Sequence, residues 1–291
     1  MKKIYFILVL CIFGINLSAQ IPQGNLLLHY PFDGNSIDAS GNGYNGTING
    51  ATLTSDRFGN PNSAYFFDGS NDYIDMPNVL QLKPGLPVSF SFWAKPQSLT
   101  NYFFSTSPVN GITAGCTFNL QNSGLMTINY GDNLGIGPSH RRTKQTPTNL
   151  FSINQWYHIV GIFRGAQDMD IYVNGTLIGG IYSGTANALA YANVAGTIGR
   201  ADISLNHFFF GTIDEFAMYN KALTYCEVQQ LYNPIPTFDT HIACGSYTWI
   251  DGNTYNSSNN SATVTLTNAA GCDSLVTLDL TINNSNTGID T

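Results

Sequence analysis

The 291-residue chain carries 29 Gly, 16 Tyr and 18 Phe but only 10 % charged residues, and of its 18 acids two, Glu215 and Glu227, are glutamates. So little Glu, Lys and Arg removes the best helix formers, whereas Gly, Asn and aromatic residues suit turns and strands, which excludes coiled coils and helical bundles. A net charge of −7 with eleven basic residues in all excludes the basic stripe that binding to nucleic acid requires.

Lys2 and Lys3 precede an apolar run over 4–15, and Ser18 and Ala19 supply small residues near a cleavage point. That order reads as a signal peptide over 1–20, too short to span a bilayer as a stable helix. Its removal leaves nine basic and 18 acidic residues, with no other stretch approaching 18 apolar residues. The mature chain is therefore expected to be secreted or displayed at the cell surface without a membrane span.

Over 24–233 many short strands are expected between Gly, Asn and Pro turns. Val88-Ser-Phe-Ser-Phe-Trp93 alternates apolar with small polar residues, the period-2 pattern of a half-buried strand. Trp156-Tyr-His-Ile-Val-Gly-Ile-Phe163 and Met169-Asp-Ile-Tyr-Val173 are two more, the latter running into Asn174-Gly175, a pair suited to a type I′ hairpin. One helix is expected over 223–231, entered through Thr224 with Glu227 three residues on, the spacing of a capping box. The fold class is all-β, a sandwich with one short helix near its end.

Several motifs in order sharpen this reading. Leu28-His-Tyr-Pro-Phe-Asp-Gly-Asn35, Phe67-Asp-Gly-Ser-Asn-Asp-Tyr-Ile74, Phe90-Ser-Phe-Trp93, Trp156-Tyr-His158 with Tyr172-Val-Asn-Gly175, and Gly211-Thr-Ile-Asp-Glu-Phe216 resemble the laminin-G-like (concanavalin A-like lectin/glucanase) jelly rolls of bacterial secreted proteins. The resemblance covers 24–233 and implies a sandwich of two antiparallel sheets, with Trp93 and Trp156 in the core. It says less about function, because such sandwiches host lectins, adhesins and enzymes alike.

From Pro234 the composition shifts to Thr, Asn and Ser. A small β module is expected over 234–283, closed by a Cys244–Cys272 disulfide worth roughly 3–4 kcal/mol of loop-closure entropy. It resembles a short repeat of secreted, surface-displayed Bacteroidetes proteins, and the tail 284–291 resembles the linker before a type IX secretion sorting domain. Cys116 and Cys226 read better as buried free thiols than as a second bridge.

For catalysis, glucanases on this fold carry Glu-x-Asp-x-x-Glu, so that two carboxylates flank the scissile bond. That pattern is absent here, and Asp168-Met-Asp170 reads as a solvated hairpin edge, so no catalytic residue is assigned. Calcium favours Asp, Asn and carbonyl oxygens on turns, and Asp33, Asp38 and Asp214 are the candidate ligands of a structural ion joining the opening and closing strands. The competing reading is that these carboxylates cap turns, and the same holds for Asp68 and Asp72. Sugar binding calls for exposed aromatic and planar polar groups. Its candidates are Tyr102, the Asn133, Arg141 and Arg142 set in one loop, and His207. The expected function is a non-catalytic module that binds a glycan or a cell-surface protein, with a purely structural or adhesive module and, after it, a glycoside-cleaving enzyme as the alternatives.

Overall fold

A computed structural model describes residues 21–201, 207–233, 238–267 and 272–283. The signal peptide expected over 1–20 and the linker-like tail 284–291 lie outside the described residues. The chain divides into two compact units, Pro22–Asn233 and one holding Pro234–Thr291.

The larger unit begins with β1 (Leu26–Tyr30), β2 (Thr47–Asn49), β3 (Thr52–Thr54), β4 (Ala64–Asp68) and β5 (Tyr73–Asp75). There follow β6 (Val88–Pro96), β7 (Asn101–Ser105), β8 (Ala114–Gln121), β9 (Leu125–Asp132) and β10 (Arg141–Gln145). The unit ends with β11 (Tyr157–Gly165), β12 (Asp168–Val173), β13 (Thr176–Ile178), β14 (Ile181–Gly184), β15 (Thr197–Ile198), β16 (Phe210–Tyr219) and α1 (Tyr225–Tyr232). One sheet runs β13-β12-β11-β6-β16-β4-β3, with β1 also on β16, and the other runs β14-β10-β9-β8-β7-β15-β5-β2. Every pairing in both is antiparallel, as a jelly-roll sandwich requires.

Alternation along the strands builds the core. Val88, Phe90, Phe92 and Ala94 of β6 are fully buried between the sheets. There Phe90 meets Phe104 at 4.9 Å between ring centroids, and Phe104 stacks on Phe118 at 4.6 Å, distances at which aromatic pairs gain beyond their buried area. The sheets approach so closely over β11 that a Cβ on Gly161 would lie 2.2 Å from the Phe118 ring.

α1 packs on part of the outer face of the first sheet, where Tyr232 stacks on Trp93 and His158 and Gln229 donates to the Gly175 carbonyl. Thr224 accepts from the Glu227 backbone N–H while the Glu227 side chain reaches back to the Thr224 N–H, the expected capping box. The hairpin between β12 and β13 turns at Asn174 and Gly175 with φ of 50° and 71°, which is the left-handed pair of a type I′ turn. The two tryptophans expected in the core are half-buried instead. Residue 93 shares its face with Ser89 and Ser91, so the period-2 rule sends Trp93 outward, where it stacks on His158 at 5.2 Å and Tyr232 at 5.8 Å. The Arg57 guanidinium lies 4.5 Å from the same ring.

The smaller unit contains β17 (Phe238–Cys244), β18 (Tyr247–Thr248), β19 (Thr254–Tyr255), β20 (Thr263–Thr267) and β21 (Asp273–Asn283). Trp249, Val276, Leu278, Leu280 and Ile282 form its core. Its cysteine chemistry corrects the sequence reading: the disulfide is Cys226–Cys272, and Cys244 is a free, exposed thiol. The reason is register. β17 runs parallel to β21 with Cys244 beside Asn283, the far end of an 11-residue strand from Cys272. At about 3.3 Å per residue that is roughly 35 Å, far beyond the ~7 Å Cα separation that a disulfide tolerates. Cys226, expected as a free thiol, is the partner, whereas Cys116 is buried and free as expected.

Candidate functional site

Among the described residues no α-helix lies over the outer face of the second sheet, and a groove of about 290 Å³ opens on it. The core-facing residues of these strands, Phe104, Cys116, Phe118, Ile128 and Tyr130, are fully buried. Their neighbours in sequence therefore point outward. Cross-strand pairing aligns those neighbours into rows. Ser105 lies opposite Thr117, Thr117 opposite Asn129, Asn129 opposite Thr143, and Thr143 opposite Ser183. At ~4.8 Å per strand this row of hydroxyls and amides spans about 19 Å. A second row runs Tyr102, Asn119, Thr127 and Gln145.

The wall at one end of the groove depends on two glycines. A Cβ on Gly131 would sit 2.2 Å from the Thr113 carbonyl oxygen, and one on Gly115 would sit 2.4 Å from Thr106 Oγ1. Because neither residue has a side chain, the segment 106–113 folds down over the sheet and brings Val109 and Ile112 to the groove's edge. At the other end Tyr102 stacks on His207 with ring centroids 4.3 Å apart.

Several floor groups have no partner among the described residues. Thr143 Oγ1 is buried without a hydrogen bond. Among the described residues nothing bonds the side chains of Asn129, Gln145 or Arg141, whereas Thr127 Oγ1 donates to Asn119 Oδ1 at 2.7 Å. Thr143 is buried, Asn129 and Gln145 are half-buried and Arg141 is exposed, so the floor offers donors and acceptors to solvent or to an external partner rich in hydroxyls.

The residues expected to bind a ligand divide between two places. Tyr102, Arg141 and His207 line the groove. Arg142 does not join them, because residues 141–145 form a strand rather than a loop, and consecutive strand residues face opposite ways. Its guanidinium instead donates to the Ala166 and Gly184 carbonyls and lies over the Tyr182 ring. Asn133 donates from its side-chain amide to the Tyr191 carbonyl at 3.2 Å. The floor residues Asn129, Thr143 and Gln145 were missed by sequence reasoning. Their signal was an alternation in which the polar positions are uncharged amides and hydroxyls, not the charged residues of an ordinary solvated face.

The aspartates expected to share a calcium ion have protein donors already. Asp38 accepts from the backbone N–H groups of His29 (3.0 Å), Ser40 (2.9 Å) and Tyr44 (2.9 Å) and from the Ser40 hydroxyl (2.8 Å). Although burial opposes its ionisation, these bonds hold the carboxyl below its usual range. Asp214 Oδ2 accepts from Arg57 Nη1 at 2.9 Å, and Asp33 is exposed. Among the described residues no group of three acidic, His or Cys side chains is found, and the bonds on Asp38 and Asp214 are those of carboxylates that cap turns and pair with a cation. Asp68 and Asp72 likewise serve their turn, accepting from the Ser70 and Asp68 backbone N–H groups.

Neither glutamate lines the groove. Glu215, at φ 53° in a β-bulge, contacts His29 Nε2 at 2.8 Å, and Glu227 is held by Lys221 and the cap of α1. Asp168 and Asp170 both pair with Arg164 at 2.9 Å on the hairpin edge.

The family described as the concanavalin A-like lectin/glucanases superfamily matches residues 68–229, more than half of the chain. No curated protein sequence matches it. Among solved structures, domain 4 of AbnA, an extracellular GH43 arabinanase from Geobacillus stearothermophilus, in complex with arabinotriose, is 22 % identical. The match has a TM-score of 0.51 and covers 72 % of this chain and 98 % of that one. The binding domain of Paraclostridial Mosquitocidal Protein 1 is 18 % identical with a TM-score of 0.56, and 72 % of this chain covers 52 % of it. The ligand-binding domain of botulinum neurotoxin serotype D, in complex with N-acetylneuraminic acid, is 15 % identical with a TM-score of 0.54, over 72 % of this chain and 51 % of that one. The chain thus spans about half the length of the toxin domains, and at these identities the likeness is one of fold.

Proposed function

Since the chain belongs to the concanavalin A-like lectin/glucanase superfamily, we propose that it is an exported, non-catalytic module that binds a glycan in the groove of the second sheet. The observation that carries this reading is the set of amide and hydroxyl side chains on the groove floor, Asn129, Thr143 and Gln145, that have no partner among the described residues. Planar amides and hydroxyls hydrogen-bond sugar hydroxyls, and the Tyr102–His207 stack offers an aromatic surface at the groove's end. Glycoside cleavage needs two carboxylates flanking the bond. The described lining has none, which favours binding over hydrolysis. The arabinotriose and N-acetylneuraminic acid complexes of structural neighbours support a glycan as the ligand class. Among the described residues no helix is long and apolar enough to cross a membrane, and the sequence of 1–20 supports export.

The test is a glycan array probed with the full mature chain, followed by calorimetry on hits with Asn129→Ala and Tyr102→Ala. The reading expects at least one glycan to bind and both variants to lose affinity at unchanged melting temperature. Absence of any glycan ligand, with capture of a cell-surface protein instead, would replace it with the adhesive reading.

A further inference from the structure

The chain has five arginines, and four of them are committed to the fold. Arg57 binds Asp214, Arg142 binds two carbonyls, Arg164 binds Asp168 and Asp170, and Arg200 pairs with Asp75 at 3.7 Å beneath the Tyr73 ring. Arg141 is different. It is exposed, nothing among the described residues bonds it, and it lines the groove. The described lining contains no Asp or Glu, although the chain has 18 acids. The carboxylate in line with the main hydroxyl row, Asp75, lies opposite Thr197 and is already paired with Arg200. Beside Arg141 on the sheet the row continues through Gly131 and Gly115, over which the segment 106–113 folds as the wall, so Arg141 stands at the walled end of the groove.

We propose that the groove selects an acidic glycan, one whose sugar carries a carboxylate, and that Arg141 is the residue that reads the carboxylate. This rests on the glycan-binding reading above and adds a substrate class to it. A guanidinium is a planar fork of donors that fits a carboxylate bidentately, and such charge-assisted bonds are about twice as strong as neutral ones. A groove whose described lining carries no carboxylate adds no repulsion from those residues to the anionic charge of the rest of the protein. From Tyr102 on β7 to Arg141 on β10 the groove crosses three strand spacings, about 14 Å. The site therefore takes more than one sugar, with the carboxylated unit at the Arg141 end and the Tyr102–His207 stack at the other.

The experiment compares pairs that differ in the carboxylate alone. Tetragalacturonate is titrated against its fully methyl-esterified form, and 3′-sialyllactose against lactose, with the full mature chain, Arg141→Gln and Arg141→Lys. Binding of an acidic member about tenfold tighter than its neutral partner is expected, equivalent to about 1.4 kcal/mol. Arg141→Gln should close that gap and Arg141→Lys should restore part of it, at unchanged melting temperature. Equal binding of both members of a pair, or an acid preference that survives Arg141→Gln, overturns the assignment and leaves the glycan-binding reading standing. The assignment falls in the same way if none of the four probes binds while a neutral glycan on the array does. Failure of every glycan overturns both.

Discussion

His158 lies 2.9 Å from the Ser91 hydroxyl, a spacing that in an open cleft would suggest a nucleophile and its base. Here both are sealed beneath Trp93 and Tyr232, with His158 1 % and Ser91 2 % exposed. Burial, with the nearby Arg57 cation as the second cause, pushes the imidazole down to about 3 from 6.5. The folded protein therefore holds a neutral ring whose Nδ1 has no partner. Between those two values the unfolded chain binds the proton and the folded chain does not, so stability is full above pH 6.5 and falls as the pH is lowered. Each unit is worth about 1.36 kcal/mol. Lowering the pH from 7 to 4.5 crosses two units of that window and should cost about 2.7 kcal/mol through His158 alone. His158→Gln removes the titration while keeping an amide able to meet Ser91. Urea unfolding of the wild type and the variant at both pH values isolates the effect, because the carboxylates are common to both. The wild type should lose about 2.7 kcal/mol more than the variant. Parallel losses, agreeing within about 0.5 kcal/mol, would refute the account of a buried neutral histidine.

Other outcomes follow from the packing. Gly161→Ala drives a methyl into the Phe118 ring and should cost about 1–3 kcal/mol, the usual penalty of overpacking, in urea unfolding. Cys272→Ser opens a loop of about 45 residues back to Cys226 and should cost roughly 4 kcal/mol of unfolded-state entropy, seen as a lower melting temperature. Cys244→Ser should leave that temperature unchanged, and a non-reducing peptide map linking Cys244 to Cys272 would refute the assignment. Chelation by EDTA should leave the melting temperature where it was, because Asp38 and Asp214 already have protein donors. A downward shift would mean that an ion stabilises the folded state by mass action.

Local rules account for what was legible in the sequence. The alternation at 88–93, the Asn174-Gly175 turn and the Thr224–Glu227 cap each depend on residues a few positions apart, and each appears where expected. The composition shift at Pro234 coincides with the boundary between the two units. What escaped depends on register between distant segments. Nothing local says that β17 runs parallel to β21, so Cys244 and Cys272 looked adjacent when pairing puts them at opposite ends of a strand. Arg141 and Arg142 looked like one basic loop until residues 141–145 proved to be a strand, which separates the two onto opposite faces. Trp93 was the reverse case. Its parity with Ser91 was readable, and the family resemblance outweighed it.

The two outer faces of the sandwich obey the same alternation yet differ in how open their polar groups are: the unpaired His158 Nδ1, Asp214 Oδ1 and Tyr219 OH of the first face are buried, whereas the groove of the second face holds polar side chains that stay partly exposed. On the first sheet, under α1, Ser89 donates to the Lys221 carbonyl, Ser91 meets His158, and Arg57 meets Asp214. A covered face must pair most of its polar groups internally, since an orphan there costs about 1–3 kcal/mol. Among the described residues no α-helix covers the groove of the second sheet. Asn129, Gln145 and Arg141 keep access to solvent, so their free hydrogen-bonding capacity costs little in stability while remaining available to a ligand. Pairing them internally would add about 0.5–1.5 kcal/mol each to the fold and would leave the groove nothing with which to hold a sugar.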